Sequence, residues 1–517
     1  MSELTREERL LSGENLTPVT RREMFLAKAG GADIETPTPV TREEMFLSAI
    51  KGGGGGGGVV SADKKDVNFY DYDGTILHSY TLNEAQALSE LPELPTRDGL
   101  ICQGWNWTLE DIKAMGRAVD VGAIYITDDG ATRIYIRLSE GRTSPMLGVC
   151  PKGTVTVDWG DGTAPDTLTG TSVTSVKWTP THNYAKPGEY VIRLIVEGSV
   201  GLYGKNQYSE YSGILRYSAN ASALNSKYRD SVQRIELGNG LTKISEYAFG
   251  ACKSLSSIVI PNSVTSIDAG AFYSCYNLSN IVIPSGVTSI GGSMFKTCYG
   301  LSSIVIPNSV TSIGGSVFDN CKSLSSIVIP NSVTSIGSYA FGSCYALSSI
   351  VIPSNVTKIS THVFYLCNGL LNIVIPSGVT NIDDGAFYSC HSLSSIVIPS
   401  GVTNIGKEMF YQCECLSDIV IPSGVTSIGD KAFYYCGVLS SIVIPSGVTS
   451  IGSYAFYSCY AVKYYDFTKH TAVPTLSNTN AFNDISDDCE IRVPAALVDE
   501  WKAATNWSTY ADYIVGV

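Results

Sequence analysis

The sequence predicts a mainly β chain: a C-terminal solenoid of about ten 23-residue rungs, preceded by a β-sandwich and a small α+β module. Three observations predict it. Nine prolines (Pro261, Pro284, Pro307, Pro330, Pro353, Pro376, Pro399, Pro422 and Pro445) recur at intervals of 23 residues. Ten phenylalanines, Phe249 to Phe456, keep the same step, and so do ten cysteines, Cys252 to Cys459. A fixed period in the range of about 20–30 residues marks a stack of identical coils. Such a stack has a long surface and no natural pocket, which lowers the expectation of an enzyme.

One rung runs Leu255-Ser-Ser-Ile258-Val-Ile260-Pro261-Asn-Ser-Val264-Thr-Ser-Ile267-Asp-Ala-Gly-Ala271-Phe272-Tyr-Ser-Cys275-Tyr-Asn. Alternation puts Ile258 and Ile260 on one strand face. Pro261 lacks an N–H for a ladder and should end the strand. Asn-Ser or Ser-Gly after it supplies a turn. Ala271, Phe272 and Cys275 suit one short inward-facing helical turn. Burying about eight apolar side chains per rung, at roughly 1.5–3 kcal/mol each, is a large gross driving force. Chain entropy offsets most of it, so rungs need neighbours.

The motif Leu-x-x-Ile-x-Ile-Pro-x-x-Val-x-x-Ile followed by Ala-Phe-x-x-Cys closely resembles the leucine-rich repeats of the bacterial surface-antigen, BspA-like type, over residues 232–467. The tail, 468–517, is similar to that family's closing segment at Ile491-Arg-Val-Pro494 to Trp501 and at Asn506-Trp507. The resemblance implies a helix there that covers the open end. Rung eleven, Val462–Phe467 with Thr468 at the proline position, is degenerate, as terminal repeats are.

Composition narrows the function. The chain has 517 residues and a net charge of −13, with a pI of about 4.9, which speaks against nucleic acid or an anionic membrane as partner. No apolar run approaches the ~18 residues of a membrane span, so no membrane insertion is expected. The charged opening Met1–Arg9 leads into no apolar stretch, so no secretory signal is expected. Ten of the 14 cysteines occupy one repeat position. Stacked on rungs about 4.8 Å apart, their parallel Cβ directions suit a column of buried thiols better than disulfides. Cys413-x-Cys415 has no nearby His to argue for zinc.

Residues 1–51 repeat Thr5-Arg-Glu-Glu8, Thr20-Arg-Arg-Glu23 and Thr41-Arg-Glu-Glu44, each a capping box opening a short helix. Helices of two or three turns are marginal alone, so this segment is expected to dock on an assembly partner, the alternative being that it stays largely disordered. A glycine linker, 52–59, follows.

Residues 60–139 form the small α+β module. Val67-Asn-Phe-Tyr-Asp71-Tyr-Asp73-Gly74-Thr75 resembles the first motif of haloacid-dehalogenase phosphatases, which implies Asp71 as nucleophile and Asp73 as acid, and Asp128-Asp129 imitates the later acidic motif. The interval between them is too short for that family's α/β core. Asp73-Gly74 and Asp129-Gly130 read better as turns of two hairpins, Val67–Tyr72 with Thr75–Tyr80 and Ile124–Thr127 with Arg133–Leu138. Thr108 caps a helix over Leu109–Val119, after Trp105 and Trp107, which read as core more than as sugar-stacking groups.

In 140–200, Val155-Thr-Val-Asp158-Trp159-Gly-Asp161-Gly162-Thr163 and His182-Asn-Tyr184 with Pro187-Gly188-Glu-Tyr190 resemble a PKD-like β-sandwich, a spacer or adhesion module. Asp158 and Asp161 should hold the tight turn rather than calcium. Residues 201–231 are the expected cap or linker into the solenoid.

The layout of these parts resembles phage and prophage tail-associated proteins of gut Firmicutes, which implies assembly in the cytoplasm and carriage on a virion. The alternative place is a bacterial surface. No Ser/His/Asp set, no metal cluster and only five His are present, so neither catalysis nor a cofactor is expected. The expected function is adhesion to a host cell-surface protein or glycan, with a purely structural spacer as the alternative and self-association left open. The candidate recognition residues are the tyrosines at two variable repeat positions: Tyr273, Tyr365, Tyr388, Tyr411, Tyr434 and Tyr457 at one, Tyr276, Tyr299, Tyr345 and Tyr460 at the other. Tyrosine among Ser and Gly is the composition of antibody contact loops.

Overall fold

A computed structural model describes residues 64–203, 214–216 and 230–517. The capped N-terminal helices, the glycine linker and most of 201–231 lie outside the described residues.

The chain begins with a four-stranded sheet. Strands β1 (Val67–Tyr70) and β2 (Ile76–Tyr80) form the expected hairpin around Asp73-Gly74. An unexpected helix α1 (Leu82–Ala87) follows, opened by a capping box between Thr81 and Glu84. Then come β3 (Leu100–Trp105), α2 (Leu109–Met115) and β4 (Val119–Thr127), in the sheet order β2-β1-β4-β3. Helix α2 stops four residues short of the expected Val119, because Gly116 adopts the left-handed conformation (φ 64°) that closes a helix.

The second expected hairpin does not form. Asp129-Gly130 does turn the chain, but β5 (Thr132–Leu138) leaves the first sheet and pairs elsewhere. It joins β6 (Met146–Asp158), β7 (Asp166–Thr171), β8 (Lys177–Trp178), β9 (Gly188–Leu202) and β10 (Leu215–Arg216). This sheet does not end where a separate domain would. β5 pairs antiparallel with β11 (Val232–Glu236), and β9 pairs with β12 (Leu241–Ile244). Those two strands are the first rung, whose open edge would otherwise present unpaired N–H and C=O groups. Among the described residues the first rung is thus covered by β5 and by β9, whose last residues, Gly201 and Leu202, lie in the expected cap segment, and one buried core runs from Ile134 through to Ile514.

From residue 234 onward the solenoid makes about 12 turns. The ladder outlasts the proline period, since Tyr464–Asp466, Glu490–Val493 and Ile514–Gly516 continue it in parallel. The degenerate rung is part of this extension. Helix α3 (Val498–Ala503) lies between the last two strands, with Trp501 and Trp507 buried.

Most rungs carry two short strands rather than one: Ser395–Val397 is followed by Asn404–Ile405, each paired with its equivalent in the next rung. The expected helical turn at Ala-Phe-x-x-Cys is not helical. Residues on both sides of the phenylalanine are left-handed, such as His362 (φ 54°) and Leu366 (φ 56°), and a left-handed residue interrupts a right-handed helix. The freed N–H groups turn along the stack instead: Phe364 donates to Ala386 O at 3.0 Å and Leu366 to Tyr388 O at 2.8 Å. This third column is thus hydrogen-bonded from rung to rung, like the two strand columns.

Candidate functional site

The turn column has an inside and an outside. Inside, the phenylalanine rings stack at 5.3–5.7 Å between Phe272 and Phe456. Each ladder cysteine from Cys275 to Cys459 donates its thiol to the carbonyl of the preceding rung's phenylalanine, at 3.0–3.2 Å. A small buried donor is what that carbonyl needs, and cysteine supplies it without the desolvation cost of a hydroxyl. The column is buried and unpaired by disulfides. Burial pushes Cys252, Cys367 and Cys459 up to about 12. Cys413 belongs to this column while Cys415 is exposed, so the two do not face one site.

Outside, the residue after the phenylalanine reaches the surface in most rungs, Gly250 and Gly342 being buried exceptions. From Tyr365 to Tyr457 five consecutive rungs place a tyrosine there, and the rings form one ladder. Successive centroids lie 5.0, 4.4, 4.7 and 4.9 Å apart, with planes inclined by 33°, 10°, 2° and 10°. Offset stacking at this separation is favourable, so the row is rigid before any ligand arrives. Burial and the neighbouring phenol raise Tyr388, and a hydrogen bond to Asp484 raises Tyr457 to about 12.

The other candidate tyrosines do not join this ladder. Tyr273 packs edge-on against Tyr247 at 5.8 Å. Tyr276 and Tyr299 stack at 4.7 Å in a separate row, with Lys253 Nζ 5.1 Å from the first ring. Lys322 Nζ lies 4.6 Å from Tyr299 and 5.8 Å from Tyr345. Tyr460 stands exposed at the far end. The ten candidates thus form two patches of different chemistry, one basic and aromatic, the other phenolic, besides the separate Tyr273 and Tyr460. Tyr339, His362, Tyr435 and Tyr454 border the phenolic ladder without a sequence signal of their own, because their two repeat positions hold mixed residues, among them Gly, Ser, Thr, Asn, Leu, Gln, Glu and Lys.

A third surface carried no signal in the sequence. The strand valines Val351, Val374, Val397, Val420 and Val443 are 46–79% exposed, whereas their equivalents Val259, Val282 and Val305 are 2–5% exposed under the sheet β1–β4.

The remaining candidates are engaged in packing. Asp71 is buried, pairs with Arg97, and accepts from Tyr125 Oη at 2.6 Å and Tyr72 N at 2.8 Å. Asp73 accepts from Thr75 N and so holds the hairpin turn. Asp128 and Asp129 are bound by Arg133, and Asp129 also by Arg193. Trp107 is buried with its indole N–H on Ile306 O, and Trp105 donates to Pro92 O. Asp158 accepts from Gly160 N, and Asp161 from Thr163 and His182, whose ring stacks on Trp159 at 4.5 Å. Among the described residues no group of three or more His, Cys, Asp or Glu could hold a metal ion. Nor is any described helix long and apolar enough to cross a membrane.

The family described as "BspA type Leucine rich repeat region" matches residues 225–348 and 334–463. Among solved structures, a leucine-rich cell surface protein from Faecalibacterium prausnitzii A2-165 is 31% identical, covering 50% of this chain and 78% of its own, with a TM-score of 0.34. A T. pallidum leucine-rich repeat protein is 30% identical, covering 36% and 85%, with a TM-score of 0.29. A leucine-rich repeat protein from Bacteroides ovatus ATCC 8483 is 22% identical, covering 58% and 94%, with a TM-score of 0.34. No curated protein matches the chain.

Proposed function

We propose that this chain, which belongs to the BspA-type leucine-rich repeat family, is a non-enzymatic adhesion protein whose solenoid contacts a host cell surface through the ladder Tyr365–Tyr457. The observation that carries the reading is a row of five half-buried tyrosines held in register by stacking, on a column whose inner half is fixed core. A preorganised aromatic surface loses little entropy on binding. The buried, ion-paired Asp71 and the engaged Asp158 and Asp161 favour structure over chemistry in the N-terminal half. A PKD-like role for 140–200 as spacer, and carriage on a virion tail through residues 1–51, belong to the same proposal. The layout of the sequence is their support.

The test replaces Tyr388, Tyr411, Tyr434 and Tyr457 together by Ser. Binding to host cells should collapse while the melting temperature moves only slightly. Surviving adhesion, or an unfolded solenoid, would make the ladder scaffold.

The bare valines favour a second contact surface for the same function, since contiguous exposed apolar patches mark interaction sites. Val374→Ser, Val397→Ser and Val420→Ser combined would remove that surface and leave the tyrosines intact.

A further inference from the structure

Granted the ladder as the contact surface, we infer that its ligand is a linear, neutral glycan lying along the solenoid axis and read through the phenol hydroxyls, one per rung. The stacking decides how the ladder can be read. Rings 4.4–5.0 Å apart and nearly parallel cover one another's faces, so a sugar ring cannot lie flat on a tyrosine inside the row. What remains outward is a rim of ring edges and hydroxyls. Those hydroxyls are ordered because each is fixed to a ring held by its stacked neighbours. Each phenol can donate one hydrogen bond and accept others.

The rim repeats on the rung spacing, and the ligand must match it. An extended peptide advances about 3.3 Å per residue, with same-face side chains at about twice that, and loses step with the ladder within two or three rungs. A peptide laid across the axis meets only one or two tyrosines, and rings stacked face to face inside the row present no free face for the desolvated packing that anchors protein interfaces. A chain of pyranose units advances by nearly one rung per unit and carries hydroxyl donors and acceptors around every unit, so each phenol meets one even where successive units are inverted. Charge gives no alternative direction. Beside the ladder, Lys431 is paired with Glu408 at 3.4 Å, and Asp484 accepts from Ser458 Oγ at 3.3 Å.

The experiment titrates the full chain with linear neutral oligosaccharides (cello-, chito- and manno-series, one to seven units) and reads affinity by calorimetry. At least one series should gain affinity with each added unit up to about five and then level off, because five rungs carry the ladder. Tyr411→Phe with Tyr434→Phe keeps rings and stacking but removes two hydroxyls, and should weaken the longest oligomers about tenfold or more, roughly 1.4 kcal/mol. Its melting temperature should stay unchanged.

Three results would overturn the glycan reading: no binding by any series, affinity independent of length, or an unaltered Phe variant. If glycans fail while the four-fold Ser variant still abolishes cell adhesion, the ladder remains the adhesion site and its ligand is a protein. If adhesion itself survives the Ser variant, the functional proposal falls too.

Discussion

Two stretches of one solenoid share a strand sequence and have different surfaces. In rungs 257–328 the face carrying the strand valines is covered by the sheet β1–β4; in rungs 349–443 it is bare. The covered stretch is built for a neighbour. Asn106 Nδ2, Trp107 Nε1 and Arg117 donate to the carbonyls of Ile283, Ile306 and Ile329, the residues just before three of the prolines. After the proline, three of the four covered rungs have Asn: Asn262 N donates to Gln103 Oε1, Asn308 Nδ2 to Asp111 Oδ1, and Asn331 Nδ2 to Met115 O. The five bare rungs have Ser at that position. Gly122 completes the fit, since a Cβ there would stand 2.4 Å from Val282 Cγ1. Ser-Ile-Val therefore codes for a strand but not for its exposure. The partner surface decides that.

The largest expected effect concerns what the two stretches share. The thiol column runs through both, and burial raises every ladder thiol, Cys275 and Cys436 well above the ordinary range. A raised folded pKa stabilises below the unfolded value and loses that contribution as pH rises above it. Stability should be flat up to about pH 8.5 and then fall by about 1.4 kcal/mol per thiol per pH unit. Hydrogen exchange under reducing conditions from pH 7 to 10 should show both stretches loosening together. An alkaline response confined to one of them would break the shared-column account.

Next in size, Trp107→Ala should cost about 3–5 kcal/mol and expose Val282 and Val305, while rungs 372–420 keep their exchange protection. A loss below about 1 kcal/mol would mean that the module does not depend on its seat.

Much of this was legible in the sequence, and the limits are physical. Proline, phenylalanine and cysteine marked the rungs because each has one allowed place: strand end, stacked core, carbonyl donor. The closing tryptophans were legible for the same reason. The second strand of each rung was not, because Thr403-Asn404-Ile405 has one buried side chain and no alternation to read. The turn looked helical because Ala, Phe and Cys have helix spacing, and the left-handed residues around them are ordinary side chains such as Ser, Tyr, Leu, Glu, Gln or His. The second hairpin failed because Asp-Gly specifies a turn, not which sheet receives the strand. Ten tyrosines read as one site because the period fixes position along a rung; whether neighbouring rungs also have tyrosine decides whether rings stack.

Smaller substitutions sharpen the contrast directly. Val282→Ala should cost about 1.5–3 kcal/mol and Val397→Ala less than about 0.5 kcal/mol, measured by local hydrogen exchange. Equal costs would deny that one valine is covered and the other bare. Asn308→Ser should cost about 0.5–1.5 kcal/mol through its lost bond to Asp111, and Ser400→Asn almost nothing.

The central claim is that recognition belongs to the open rungs and to their phenolic ladder. Covalent labelling of tyrosines, read by mass spectrometry on the free chain and on the chain bound to host cells, tests it most directly. Tyr365, Tyr388, Tyr411, Tyr434 and Tyr457 should lose labelling on binding, while Tyr276, Tyr299 and Tyr345 keep theirs. Protection of the second group with the ladder still labelled would contradict the account.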